Sequence, residues 1–159
     1  LSQRLKEGIS LNEAQIGDYL VYVDSQGLPT GEFTKLTSLA SVIDPPLLKG
    51  RIRIAIPLIG FKQSLSGGLQ GENERKIVER EQVSPRNFLV SCMPELRAAG
   101  ELRPILAQIT DFSINGIYDD KVDVGKRKVT LSFMLSRSSY ATVLLREFMK
   151  PKNLIKAGF

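Results

Sequence analysis

The chain has 159 residues, 42% apolar and 25% charged, with a net charge of +5, which is the make-up of an ordinary globular protein. It holds no histidine and a single cysteine, Cys92, so an intrachain disulfide, histidine-dependent nucleophilic catalysis and the usual Cys/His zinc sites are excluded. No apolar run approaches the ~18 residues of a membrane span, and no basic-then-apolar leader opens the chain, so no membrane partner is expected and a reducing, cytoplasmic setting fits.

The positive charge is unevenly placed. Residues 1–95 carry 11 Lys/Arg and 11 Asp/Glu, whereas residues 96–159 carry 11 Lys/Arg and 6 Asp/Glu. A basic surface attracts nucleic acid by neutralising phosphates and releasing counterions; the alternative is a solvated basic face. The chain opens at Leu1, within what reads as a helix, and is expected to be a piece of a longer one.

In chain order, residues 2–8 predict a short polar helix ending at Gly8, and residues 11–16 a further turn broken by Gly17-Asp18. Residues 18–24 predict a strand with Tyr19, Val21 and Val23 on one side, and Leu20 and Tyr22 on the other. Residues 25–31 are turn material, and residues 32–36 return as a paired strand. Residues 38–43 fit helix or strand, ended by Asp44-Pro45-Pro46. Residues 51–58 predict a strand with Ile52, Ile54 and Ile56 inward and Arg51 and Arg53 outward, either protecting an edge by charge or contacting nucleic acid, and Pro57 fits an edge or a strand end. Residues 64–71 lack both phosphate-binding glycine patterns and read as a flexible connection. Residues 72–82 predict a mostly exposed helix. Ser84-Pro85 is a helix start, and residues 94–99 add a turn before Gly100.

Residues 105–112 predict another strand. Asn115-Gly116 and Asp119-Asp120 then punctuate a loop. Lys126, Arg127 and Lys128 precede a strand in which Val129, Leu131 and Phe133 alternate with Thr130, Ser132 and Met134. Ala141, Leu144, Leu145 and Phe148 then fall on one helical face. Ser138 or Ser139 is placed as its N-cap, and Pro151 stops it. Tyr140 and Thr142 are expected in the first turn, where free N–H groups favour anions. Two strands, a loop and a helix make a β-β-α unit, and the whole predicts an α+β fold.

The segment LSRSSYATVLLRE, from Leu135 to Glu147, resembles the C-terminal signature of the TruD family of tRNA pseudouridine synthases: Leu-Pro-x-Gly/Ser-Ser-aromatic-Ala-Thr, two apolar residues, Leu/Val, Arg, Glu. Ser136 stands where the family has proline. Gly100 and Arg103 resemble the element before the family's final hairpin, and residues 94–106 are similar to its archaeal branch. Ser2-Gln3-Arg4-Leu5, Gly17-Asp18, residues 56–60 and residues 68–72 resemble it more loosely.

The resemblance implies that residues 8–91 form much of a domain inserted into the catalytic domain. Residues 96–159 would then supply the C-terminal part of the pseudouridine synthase sheet. It implies a tRNA partner, a uridine of the D arm as substrate, no metal and no small-molecule cofactor. The family's nucleophilic aspartate lies in a Gly-Lys-Asp-type motif absent here, so it is expected upstream and this chain alone is catalytically incomplete. Tyr140 falls at the position of the family's active-site aromatic and is expected to stack on the target uracil. Arg137, Lys126, Arg127, Lys128 and Arg103 are expected to contact RNA, although each also fits a solvated or packing role. Arg146 is read as a helix anchor through a salt bridge. The other readings of the chain are a basic RNA-binding module without chemistry and a domain that meets an acidic protein partner.

Overall fold

The computed structural model describes residues 1–38, 50–137 and 139–158. It forms two compact units, Leu1–Leu106 and Ala107–Phe159. Expectations for residues 39–49 and for Ser138 lie outside the described residues.

The first unit is built on a four-stranded antiparallel sheet of order β2-β1-β3-β4, with β1 at Tyr19–Val23, β2 at Pro29–Lys35, β3 at Ile52–Leu58 and β4 at Glu101–Pro104. The β1–β2 hairpin closes on Asp24, whose Oδ1 accepts the Gln26 and Leu28 N–H groups at 2.8 and 2.9 Å. The alternation along β1 holds. Leu20 packs with Ile52, Ile54, Ala14 and Leu36 on one face, and Tyr19 and Val21 pack with Ala55 on the other.

Both faces of this sheet are therefore covered, which corrects two expectations about β3. It is an inner strand, paired with β1 through its first half and with β4 through its second. Basic-apolar alternation had suggested an edge, but Arg53 is half-buried and donates to the Gly50 carbonyl at 2.7 Å. Ala55 is buried, while Ile56 is only half-buried.

The glycine-rich stretch is likewise not a loose connection. Helix α2 starts at Gly68 and runs through Gly68–Arg80. At its start the Gly67 N–H donates to the Gly17 carbonyl at 2.7 Å. A Cβ on Gly17 would lie 2.2 Å from the Gly67 carbonyl carbon, so two backbones meet where no side chain fits. Glu74 fixes this corner by accepting from the Ser66 N–H, the Ser66 hydroxyl and the Gln70 amide at 2.7, 2.9 and 2.9 Å.

Helix α1 occupies Ser2–Lys6 as expected, and residues 11–16 form turns without a helix. Short 3₁₀ turns stand at Pro85–Phe88 and Pro94–Leu96. At the first, the Ser84 N–H donates to Asn87 Oδ1 at 2.6 Å and the Asn87 N–H to the Ser84 carbonyl at 3.0 Å.

The second unit is a hairpin of β5, Ile109–Asp119, and β6, Arg127–Leu135, followed by helix α3, Ala141–Met149. The strand expected over residues 105–112 is displaced. β4 ends at Pro104, and β5 continues through Asn115-Gly116, which interrupt the register as a bulge instead of ending the strand. A second shift falls at Asp111, with φ of +51°.

Pairs Ile109–Leu135, Ile114–Leu131 and Ile117–Val129 fall on one face of the hairpin. Pairs Thr110–Met134, Ser113–Ser132 and Tyr118–Lys128 fall on the other. Phe112 stacks on Phe148 of α3 with ring centroids 5.3 Å apart. The helix ends at Lys150, which takes a left-handed φ of +41° one residue before Pro151.

Candidate functional site

Leu135 ends β6, and a turn at Ser136-Arg137 leads into α3. The Ser139 N–H closes this turn on the Ser136 carbonyl at 3.1 Å. The N-cap of α3 is Tyr140, not Ser139, and among the described residues no side chain caps the helix start. The Tyr140 backbone is extended, with φ −107° and ψ 115°, and its carbonyl accepts the Val143 and Leu144 N–H groups at 3.1 and 3.3 Å. These are the ordinary first bonds of the helix, and they leave its first-turn N–H groups without a side-chain cap among the described residues. Tyr140 is 59% exposed. Arg137 is exposed in the turn before it. Arg146 forms an exposed 3.4 Å contact with its neighbour Glu147, too local to anchor the helix to anything else.

Lys126, Arg127 and Lys128 lie at the other end of the hairpin. Lys126 closes the β5–β6 loop, and Arg127 and Lys128 begin β6. Residues 129–135 of β6 separate Lys128 from the turn before Tyr140 by roughly 24 Å at ~3.4 Å per residue. The structure therefore does not gather the expected residues into one cluster. It places a basic tip at one end of a hairpin and an aromatic with an arginine at the other. Arg103 belongs to the other unit, half-buried in β4 opposite Ile56.

The basic tip carries its own acids. Lys126 Nζ lies 3.0 Å from Asp123 Oδ2, and Arg127 Nε lies 3.8 Å from Asp119 Oδ1. The Val122 and Asp123 N–H groups donate to the Asp120 carboxylate and hold it below the usual carboxylate range, with Lys128 and Lys126 adding smaller pulls. Asp120 is thus a fixed negative charge beside the triplet, an effect that the sequence pattern did not reveal. Among the described residues no group of three or more Cys, Asp or Glu is placed to hold a metal ion, and no helix is long and apolar enough to cross a membrane.

A buried charge cluster in the first unit escaped the sequence reading. Arg4 donates to both carboxylate oxygens of Asp18, at 3.0 and 2.9 Å, and also to the Glu13 carbonyl, inside the first unit. Fourteen residues separate the pair, and no local pattern links them.

A crystal structure of a protein from Methanosarcina mazei, assigned as tRNA pseudouridine synthase D, matches with a TM-score of 0.76 and 33% identity over 94% of this chain and 34% of that one. The α+β architecture is thus that of the pseudouridine synthases. The family model for tRNA pseudouridine synthase D (TruD) matches residues 1–148. A protein from Methanosarcina acetivorans named "Probable tRNA pseudouridine synthase D" is 38% identical over 153 residues, 94% of this chain and 34% of that protein. One of the same name from Methanococcoides burtonii is 34% identical over 97% of this chain and 35% of its own length. The chain belongs to the TruD family, and it spans about a third of the length of these relatives.

Proposed function

We propose that this chain is part of a longer tRNA pseudouridine synthase that isomerises a uridine in the D arm of tRNA, with its nucleophilic aspartate upstream. The observation that carries this reading is the match of residues 1–148 to the family model. In this reading residues 8–91 belong to the inserted domain and residues 96–159 to the catalytic domain, and the enzyme works in the cytoplasm.

The reaction breaks the N1–C1′ glycosidic bond, turns the uracil and forms a C5–C1′ bond; N1 gains a proton and C5 loses one. It is balanced without metal, oxidant or reductant, so a histidine-free and cofactor-free site suffices. The base must leave its stack to be reached, and a flat ring must receive it. Tyr140 is such a ring, on the exposed surface at the start of α3. Arg137, next to the uncapped helix start, is suited to a phosphate of the flipped nucleotide. Lys126, Arg127 and Lys128 reach phosphates farther along the tRNA, and Arg103 makes a separate contact from the other unit.

The test is pseudouridine formation by the longer protein in single turnover. Base–aromatic stacking is worth about 1–3 kcal/mol, so Tyr140→Ala is expected to slow the reaction about 5- to 150-fold, while Tyr140→Phe keeps most of it. Equal rates for all three proteins sink the assignment of Tyr140. No pseudouridine from the unsubstituted protein sinks the enzyme reading and leaves an RNA-binding module.

A further inference from the structure

Where β5 passes Phe133 of β6 it carries an extra residue. Thr110 pairs with Met134 and Ser113 with Ser132, so Asp111 and Phe112 together stand opposite Phe133, which is a β-bulge. Asp111 takes φ +51° there, a left-handed conformation that side chains rarely adopt and that the surrounding structure must hold in place. A regular strand sends successive side chains to opposite faces. The extra residue resets that alternation and re-aims the side chain that follows. That side chain is Phe112, whose ring lies on Phe148 of α3 with centroids 5.3 Å apart and planes 12° from parallel.

Helix α3 needs an anchor of this kind. Its nine residues make a helix that is marginal in water without tertiary contacts. No side chain caps its start among the described residues, and its Arg146–Glu147 contact joins two neighbours on the helix itself. Phe148 follows Tyr140 by eight residues, roughly 12 Å along the axis at ~1.5 Å per residue. Phe112 and Phe148 are 42% and 53% exposed, so their stack supplies direction more than burial. We infer that the Asp111-Phe112 bulge is a positioning device: it turns Phe112 onto Phe148, and the stack fixes α3 and with it Tyr140 at the helix start. The inference rests on reading Tyr140 as the ring that receives the uracil.

The experiment is a double-mutant cycle in the longer protein, read as the single-turnover rate constant with enzyme saturating over tRNA, so that a loss of folded protein alone does not change it. Phe112→Ala is expected to slow the reaction about threefold or more, and no further than Tyr140→Ala does. Combined with Tyr140→Ala it should add no loss, because the ring it positions is gone. Phe112→Tyr, which can stack as before, should keep the rate. An unchanged rate in Phe112→Ala overturns the inference, as does a double variant in which the two single losses multiply, or a Phe112→Tyr as slow as the alanine variant. Should Phe112→Ala fail to fold, Asp111→Val removes no ring but disfavours positive φ: a rate kept there overturns the inference, and a loss that Tyr140→Ala again absorbs supports it. If Tyr140→Ala alone leaves the rate unchanged, the assignment of Tyr140 falls and takes the inference with it, whereas a slow Tyr140→Ala beside a fast Phe112→Ala sinks this inference alone.

Discussion

Arg4 and Asp18 show how much one pair of side chains decides in the first unit. Both are almost fully buried, at 3% and 1% exposure, and they meet in a two-point contact. Desolvation makes such a pair worth little net, but removing one member strands the other charge at a cost of about 3–5 kcal/mol. Asp18 also accepts the Gln15 N–H at 2.8 Å, so it fixes the turn entering β1. Asp18→Ala is therefore expected to lower hydrogen-exchange protection across Tyr19–Val23 by about 3 kcal/mol or more. Replacing both partners by apolar residues, as Arg4→Met with Asp18→Leu, should cost much less than the single change. Equal losses in the single and double variants would show that the charge pair is not what holds the turn.

At the level of elements, close backbone approach matters as much as side-chain packing. Gly17 takes φ +95°, and an added Cβ would run into the Gly67 carbonyl carbon at 2.2 Å. Gly8 has φ +76° but open space around it. Gly8→Ala should thus cost only the left-handed backbone term of about 1–2 kcal/mol. Gly17→Ala adds an overpacking cost of about 1–3 kcal/mol and should weaken the α2–β1 corner, read as lost amide protection at Gly67 and Gly71. Identical effects of the two changes would remove the close-approach argument.

This corner was hidden in the sequence because a glycine pair that packs and one that flexes are written alike. Alternation exposed β1, β6 and the α3 face plainly. It could not separate an edge strand from the inner strand β3, because a half-buried arginine and a solvated one give the same pattern. Asn115-Gly116 suggested a loop because bulges and turns draw on the same residues. Tyr140 was legible from its motif, whereas its place as the N-cap of α3 was not. The Arg4–Asp18 pair had no signal at any short spacing.

For the whole molecule, charge is the property that reaches a partner first. The entire +5 excess falls within residues 96–159, but the hairpin tip holds less of it than its basic run suggests. Residues 119–128 contain four basic and three acidic side chains, leaving +1. The Lys126–Asp123 and Arg127–Asp119 contacts are exposed, and such pairs are worth about 0–1 kcal/mol, so a phosphate competes with them easily. Lys128 has no such salt bridge among the described residues and pairs with Tyr118 across the hairpin. Three phosphates neutralised in full would contribute about 2.7 to the slope of log K against log salt for a duplex, and the paired acids reduce this toward about 1.

Replacing Lys126, Arg127 and Lys128 together by alanine in the longer protein should flatten the salt dependence of tRNA binding by about 1 to 2.7. Asp119→Asn with Asp123→Asn should act in the opposite direction, tightening binding and steepening the slope, because two cations lose their internal partners. Titrating labelled tRNA at several salt concentrations measures both. If neither set of changes moves the slope, the triplet is a solvated loop, and the phosphate contacts must be sought at Arg137 and on the rest of the basic C-terminal part.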